Sequence, residues 1–66
     1  MTTYVYIFDY SSNTINEIEI EHVREDLQAE EIESVLDFNF GYHIDEIEYM
    51  VSKKKLNITY QGKGYA

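Results

Sequence analysis

The amino-acid sequence predicts an α+β domain of ββαββ order: a four-stranded, mainly antiparallel sheet with one helix packed on one face. Three observations carry that expectation. Residues 14–21 set Ile18 and Ile20 between Glu17, Glu19 and Glu21, the two-residue period of a half-buried strand. Residues 27–39 place Ala29, Ile32 and Leu36 at i, i+3 and i+7, with Val35 beside them, which is one face of a helix. Residues 3–10 and 56–61 are dense in β-branched and aromatic side chains, which fit a pleated surface.

Each element has its own signals. The first strand spans residues 3–10, and Ser11, Ser12 and Asn13 supply turn chemistry, so strands one and two form a hairpin. Asp26 is the expected N-cap of the helix. Glu30 and Glu31 suit the positive end of the helix dipole. Gly41 is suited to the left-handed residue that closes a helix. Residues 44–51 satisfy two patterns. As a strand they put Ile47, Tyr49 and Val51 on one side and Glu46, Glu48 and Met50 on the other. As a helix they align Ile44, Ile47 and Val51. The strand is preferred because a lysine turn, residues 52–55, and a clear strand, residues 56–61, follow at once. Residues 1–61 therefore read as a single acidic domain and residues 62–66 as a mobile tail.

A chain of 66 residues holds one small domain. At this size only about 60 % of the unfolded surface is buried, so stability is marginal. With no cysteine, disulfides, zinc–thiolate sites and thiol nucleophiles are excluded. The ten aromatics, seven Tyr and three Phe, are the available source of buried area. No signal sequence and no apolar run of membrane-spanning length is present, and a cytoplasmic protein is expected.

Charge is the most distinctive property. The net charge is −8. Residues 16–50 carry twelve carboxylates against one base, Arg24, a local net of −11. Residues 51–66 carry Lys53, Lys54, Lys55 and Lys63 and no acid. Such a balance repels nucleic acid and anionic membranes and speeds encounter with basic protein surfaces.

Side chains alternate along strands, so the faces can be sorted. The helix-facing set is Val5, Ile7, Ile18, Ile20, Ile47, Tyr49, Val51, Leu56, Ile58 and Tyr60. The opposite, open face then collects Tyr4, Tyr6, Phe8 and Tyr10, the row Glu17, Glu19 and Glu21, and Glu46, Glu48 and Met50, with Asn57 and Thr59 at its end. Tyrosine is frequent in interface hot spots, although tyrosines also line solvated sheets with their hydroxyls in water. Alternate residues of a strand rise about 6.7 Å, a spacing comparable with that of phosphates along a nucleic-acid strand. On the helix, Asp26, Glu30, Glu33 and Asp37 fall within about 60° on a wheel of 100° per residue. Like charges at this spacing are locally unfavourable. Either a solubility coat or a binding surface accounts for them.

Motifs for catalysis are missing. There is no phosphate-binding glycine loop, HExxH, EF-hand pattern or Ser/His/Asp arrangement. His22 and His43 each stand near carboxylates, but histidines at element ends are most often surface residues. Lys53, Lys54 and Lys55 read as a solvated turn. No enzyme activity, metal or cofactor is expected.

In size, charge and element order over residues 3–60 the chain resembles small acidic inhibitors of phages and mobile elements: uracil-DNA glycosylase inhibitors, anti-restriction proteins and anti-CRISPR proteins. Glu17, Glu19 and Glu21 on a strand and Glu30, Glu33 and Asp37 on a helix carry the resemblance; no diagnostic motif does. It implies a DNA mimic that binds a protein partner with a basic surface, a nucleic-acid enzyme, and neither nucleic acid itself nor a membrane. The partner-binding set is Glu17, Glu19, Glu21, Glu30, Glu33, Asp37, Glu46 and Glu48, with Tyr6, Phe8 and Tyr10 as anchors. The alternative is a structural or regulatory module that self-associates as a homodimer through the aromatic face.

Overall fold

A computed structural model describes all residues, Met1–Ala66. Strand β1 (Thr2–Asp9) turns back into β2 (Thr14–Glu21), as expected for the hairpin. The connection is built by Asp9. Its carboxylate accepts hydrogen bonds from the Ser11 amide at 3.1 Å, the Ser11 hydroxyl at 2.7 Å and the Ser12 amide at 3.3 Å. Asn13 then takes a left-handed conformation, φ 58°, which asparagine tolerates better than most residues. The Ser11 and Ser12 hydrogen bonds hold the Asp9 carboxyl below the usual aspartate range.

Helix α1 (Ala29–Ser34) runs directly into a π-helical turn, Val35–Asn39. The cap is Gln28, not the expected Asp26; Asp26 lies outside the helix and faces Lys53 at 3.7 Å. Ile32 and Leu36 are buried and Val35 partly so, while Ala29 is exposed. Gly41 closes the helix as expected, at φ +74°. Its amide donates to the Asp37 carbonyl at 2.9 Å, and the Tyr42 amide reaches the Leu36 carbonyl at 3.0 Å. A Cβ at Gly41 would meet nothing within 4 Å, so only the backbone conformation selects glycine. Gly41→Ala is therefore expected to cost about 1–2 kcal/mol, the penalty of a side chain in the left-handed region, with no repacking. Chemical denaturation of the variant measures it.

Residues 44–51 divide between the two patterns. Ile44–Glu46 form a single 3-10 turn, and β3 (Glu48–Ser52) begins two residues later. β3 pairs antiparallel with β1, giving the order β2-β1-β3. The sheet has three strands, and the expected fourth, residues 56–61, does not form. In place of a hairpin back along β3, the Ser52 hydroxyl donates to the Lys54 carbonyl and accepts from the Lys54 amide, at 2.6 and 3.1 Å, which turns the chain aside. It crosses the open face, where the Leu56 amide donates to the Tyr6 hydroxyl at 2.8 Å and Lys55 meets Glu17 at 2.7 Å. Lys55 thereby sits over the glutamate row, while Lys53 faces Asp26. Residues 57–66 are exposed and carry no regular structure. The radius of gyration, 13.9 Å, accordingly exceeds the roughly 11 Å of a compact chain of this length.

The core is correspondingly small: Val5, Ile7, Ile18, Ile20, Ile32 and Leu36 are buried, with Leu27, Val35, Tyr42, Ile44, Ile47 and Tyr49 packed around them. Leu56, Ile58 and Tyr60, expected inward, lie on the surface, and Val51 is 44 % exposed on the helix side of β3. No helix is long and apolar enough to cross a membrane.

Candidate functional site

Strand pairing fixes the open face. Tyr4 stands opposite Glu19 and Ser52, Tyr6 opposite Glu17 and Met50, Phe8 opposite Ile15 and Glu48, and Thr2 opposite Glu21. Directly opposed residues share a face. Glu17, Glu19 and Glu21 therefore form one row on the outer strand, with Tyr4, Tyr6 and Phe8 along the middle and Met50 and Glu48 beyond. Glu46 is absent from this row because it belongs to the 3-10 turn. Tyr10 lies in the β1–β2 turn and joins the face only through its hydroxyl, which donates to Glu48 at 3.1 Å. That hydrogen bond, then the Glu48 charge, raises the Tyr10 phenol above its ordinary pKa.

Tyr6 occupies the centre and is 6 % exposed. Its hydroxyl donates to Glu17 at 2.9 Å while accepting the Leu56 amide. Burial is the main cause that pushes its phenol pKa up. The chain's own residues 55–56 cover this ring, so Tyr4 and Phe8, half-buried, are the aromatics left on either side of them.

Glu17 is the most engaged carboxylate of the row. It pairs with Lys55 at 2.7 Å and accepts from Tyr6. These two hydrogen bonds, the Lys55 one larger, hold its carboxyl below the usual glutamate range, and the same pair raises Lys55. Lys55 is the residue that the reading of a solvated lysine turn missed. Its signal was the complementary sign of a basic run after an acidic strand. A depressed folded pKa means that Glu17 contributes stability above the ordinary glutamate value of about 4.3, lost as pH falls through its folded value. Carbon-detected NMR titration is expected to place the Glu17 midpoint below the ordinary glutamate value of about 4.3. Lys55→Gln should move it upward; an unchanged midpoint would assign the shift elsewhere.

Glu21 accepts from the Thr2 hydroxyl at 2.7 Å and stays exposed. The Glu19 side chain makes no hydrogen bond or ion pair within the chain and is exposed, so it is the freest carboxylate of the row.

The helical carboxylates form a separate surface. Glu33 accepts a hydrogen bond at 2.8 Å from Tyr49, a residue opposed to Ile7 on the core side of the sheet. Burial, followed by this bond, raises the Tyr49 phenol pKa. Glu30 and Asp37 are exposed, and Glu31 pairs with Arg24. The helix layer and the glutamate row of β2 thus occupy opposite sides of the sheet. The fold does not bring them together on one flat surface.

His22 is a structural residue. Its ring nitrogens meet the Thr3 hydroxyl at 2.8 Å and the Arg24 carbonyl, which secures the chain leaving β2. His43 begins the 3-10 turn and is exposed. No three His, Asp or Glu side chains are grouped to hold a metal ion.

No protein-family model, curated protein or solved structure matches this chain.

Proposed function

We propose that the protein is an acidic inhibitor that occupies a basic, nucleic-acid-binding surface of a larger enzyme in the cytoplasm, in the manner of a DNA mimic. The observation that carries this reading is the row Glu17, Glu19 and Glu21 on one face of an outer strand, with Lys55 as its single internal counter-charge. Alternate residues of a strand place these carboxylates about 6.7 Å apart in rise, within reach of successive Arg and Lys side chains. Tyr4 and Phe8, at the border of the row, supply apolar contact area beside the charges. Glu48 and the Tyr10 hydroxyl extend the acidic edge across the sheet. The helical carboxylates Glu30 and Asp37 lie on the far side and serve as a steering charge, since long-range attraction does not require contact.

Affinity purification from a bacterial lysate at low salt and at about 1 M salt, where the Debye length is about 3 Å, tests the reading. A nucleic-acid enzyme retained at low salt, released at high salt and displaced by duplex DNA or RNA is the expected result. Retention that is indifferent to both salt and nucleic acid would remove it.

A further inference from the structure

Residues 56–61 have the composition and alternation of a strand, yet they have no strand partner. Leu56, Ile58 and Tyr60 are 37 %, 88 % and 80 % exposed and alternate with Asn57, Thr59 and Gln61. The order β2-β1-β3 leaves two outer edges unpaired. An unpaired edge is a row of free amides and carbonyls ready to accept another strand.

The two edges differ. β2 is eight residues long and β3 five. On β2 the core-side row is Ile18 and Ile20, and the open-face row is Glu17, Glu19 and Glu21. A strand laid against β2 with Leu56, Ile58 and Tyr60 on the core side continues the Ile18 and Ile20 row. Its Asn57, Thr59 and Gln61 then fall beside the glutamates, where their polar groups suit carboxylates. Like charges on opposed strands are destabilising, so the glutamate row disfavours the pairing of β2 with another β2. It favours a strand flanked by Lys53, Lys54, Lys55 and Lys63, in a segment with no acid from residue 51 to residue 66. Within the chain the segment pairs with neither edge: its Leu56 amide is held by the Tyr6 hydroxyl, and beyond that point it is exposed. Opening the Leu56–Tyr6 and Lys55–Glu17 contacts frees the chain beyond β3, and residues 53–61, fully extended, reach about 30 Å, far enough to lie along the edge of a neighbouring molecule.

We propose that residues 56–61 add as a fourth strand to the outer edge of β2 of a second copy of this chain. Reciprocal exchange closes a twofold dimer, each copy donating one strand and receiving one. Each glutamate row then meets the lysine segment of the other copy. The dimer would supply the four-stranded sheet that the sequence pattern calls for and the single chain lacks. This inference uses the same glutamate row as the inhibitor reading, so the two occupancies compete, but its readout needs no target and the two fail separately.

Sedimentation velocity of the full chain over a wide concentration range is expected to show a monomer–dimer equilibrium that shifts to monomer at about 1 M salt. In a mixture of isotope-labelled and unlabelled chains, filtered NOEs should connect the Ile58 methyl groups to Ile18 or Ile20 of the other copy. Ile58→Asp, which puts a carboxylate in the apolar row, should raise the dimer Kd by about tenfold or more, the factor equivalent to 1.4 kcal/mol. The amide spectrum of β1, β2 and β3 monitors whether that variant stays folded. A chain that stays monomeric at every concentration overturns the proposal. So does a dimer that survives Ile58→Asp or lacks these NOEs, because self-association would then use another surface. NOEs from Ile58 to β3 within one chain would overturn it too, by making the fourth strand intramolecular.

Discussion

Ile7→Ala is expected to remove much of the protein's stability. Ile7 is fully buried in the central strand, between Asn16 of β2 and Tyr49 of β3, and belongs to a core of six residues. Truncating a buried isoleucine to alanine costs about 2–5 kcal/mol, through lost transfer energy and the cavity left behind. Whole domains are stable by about 5–15 kcal/mol, and one this small belongs at the low end. No disulfide can compensate. The neighbours cannot collapse readily into the void, because Ile7 lies between two hydrogen-bonded strands and beneath the helix. In a chain of this length each kcal/mol lowers the melting temperature by about 4–8 °C, so a shift of 10 °C or more is expected by circular dichroism. A change below about 2 °C would mean that the core is looser than its burial implies.

The second large effect concerns charge. Replacing Glu17, Glu19 and Glu21 together with Gln changes the net charge from −8 to −5 by removing three carboxylates. Side-chain length is retained, but each Gln offers one acceptor oxygen in place of two, so position 17 can keep the Tyr6 hydrogen bond only by giving up the one from Lys55. If the row engages a basic enzyme surface, association at low salt should slow by about tenfold or more, because steering of this kind changes on-rates by about 10–1,000-fold. The salt dependence of binding should flatten as well, since fewer charges remain to be screened. Stability should change little: relief of repulsion within the row opposes the loss of the exposed Lys55 pair. Stopped-flow or surface-based kinetics with the retained enzyme measures the effect. Equal rates for the two proteins would turn the acidic row into a solubility feature.

The local content of the chain was legible in the sequence wherever a pattern is decided by neighbours along the chain. Alternation at residues 14–21 marked β2 and placed Ile18 and Ile20 inside. Turn residues marked the hairpin, and Gly41 marked the helix end, because only glycine takes a positive φ at little cost. The helical spacing identified Ile32 and Leu36 as core. The same alternation sorted Glu17, Glu19, Glu21 and Glu48 onto one face with Tyr4, Tyr6, Phe8 and Met50, as the strand register has it.

Long-range choices were decided only by the tertiary structure. That β1 is central depends on β3 returning to pair with it in preference to the edge of β2, which no local period records. The failure of residues 56–61 to pair with β3 is of the same kind. Their composition is that of a strand, but a strand requires a partner, and the Ser52 turn directs the chain over Tyr6 before pairing can begin. Burial of Tyr6, the capture of Glu17 by Lys55 and the placing of the helical carboxylates on the opposite side of the sheet all follow from that crossing and from the strand order. The sequence by itself determined which residues prefer helix, strand and turn and which faces are acidic. The tertiary structure decided which of those faces meet, because pairing and crossing bring together residues up to 50 positions apart, as with Tyr6 and Leu56.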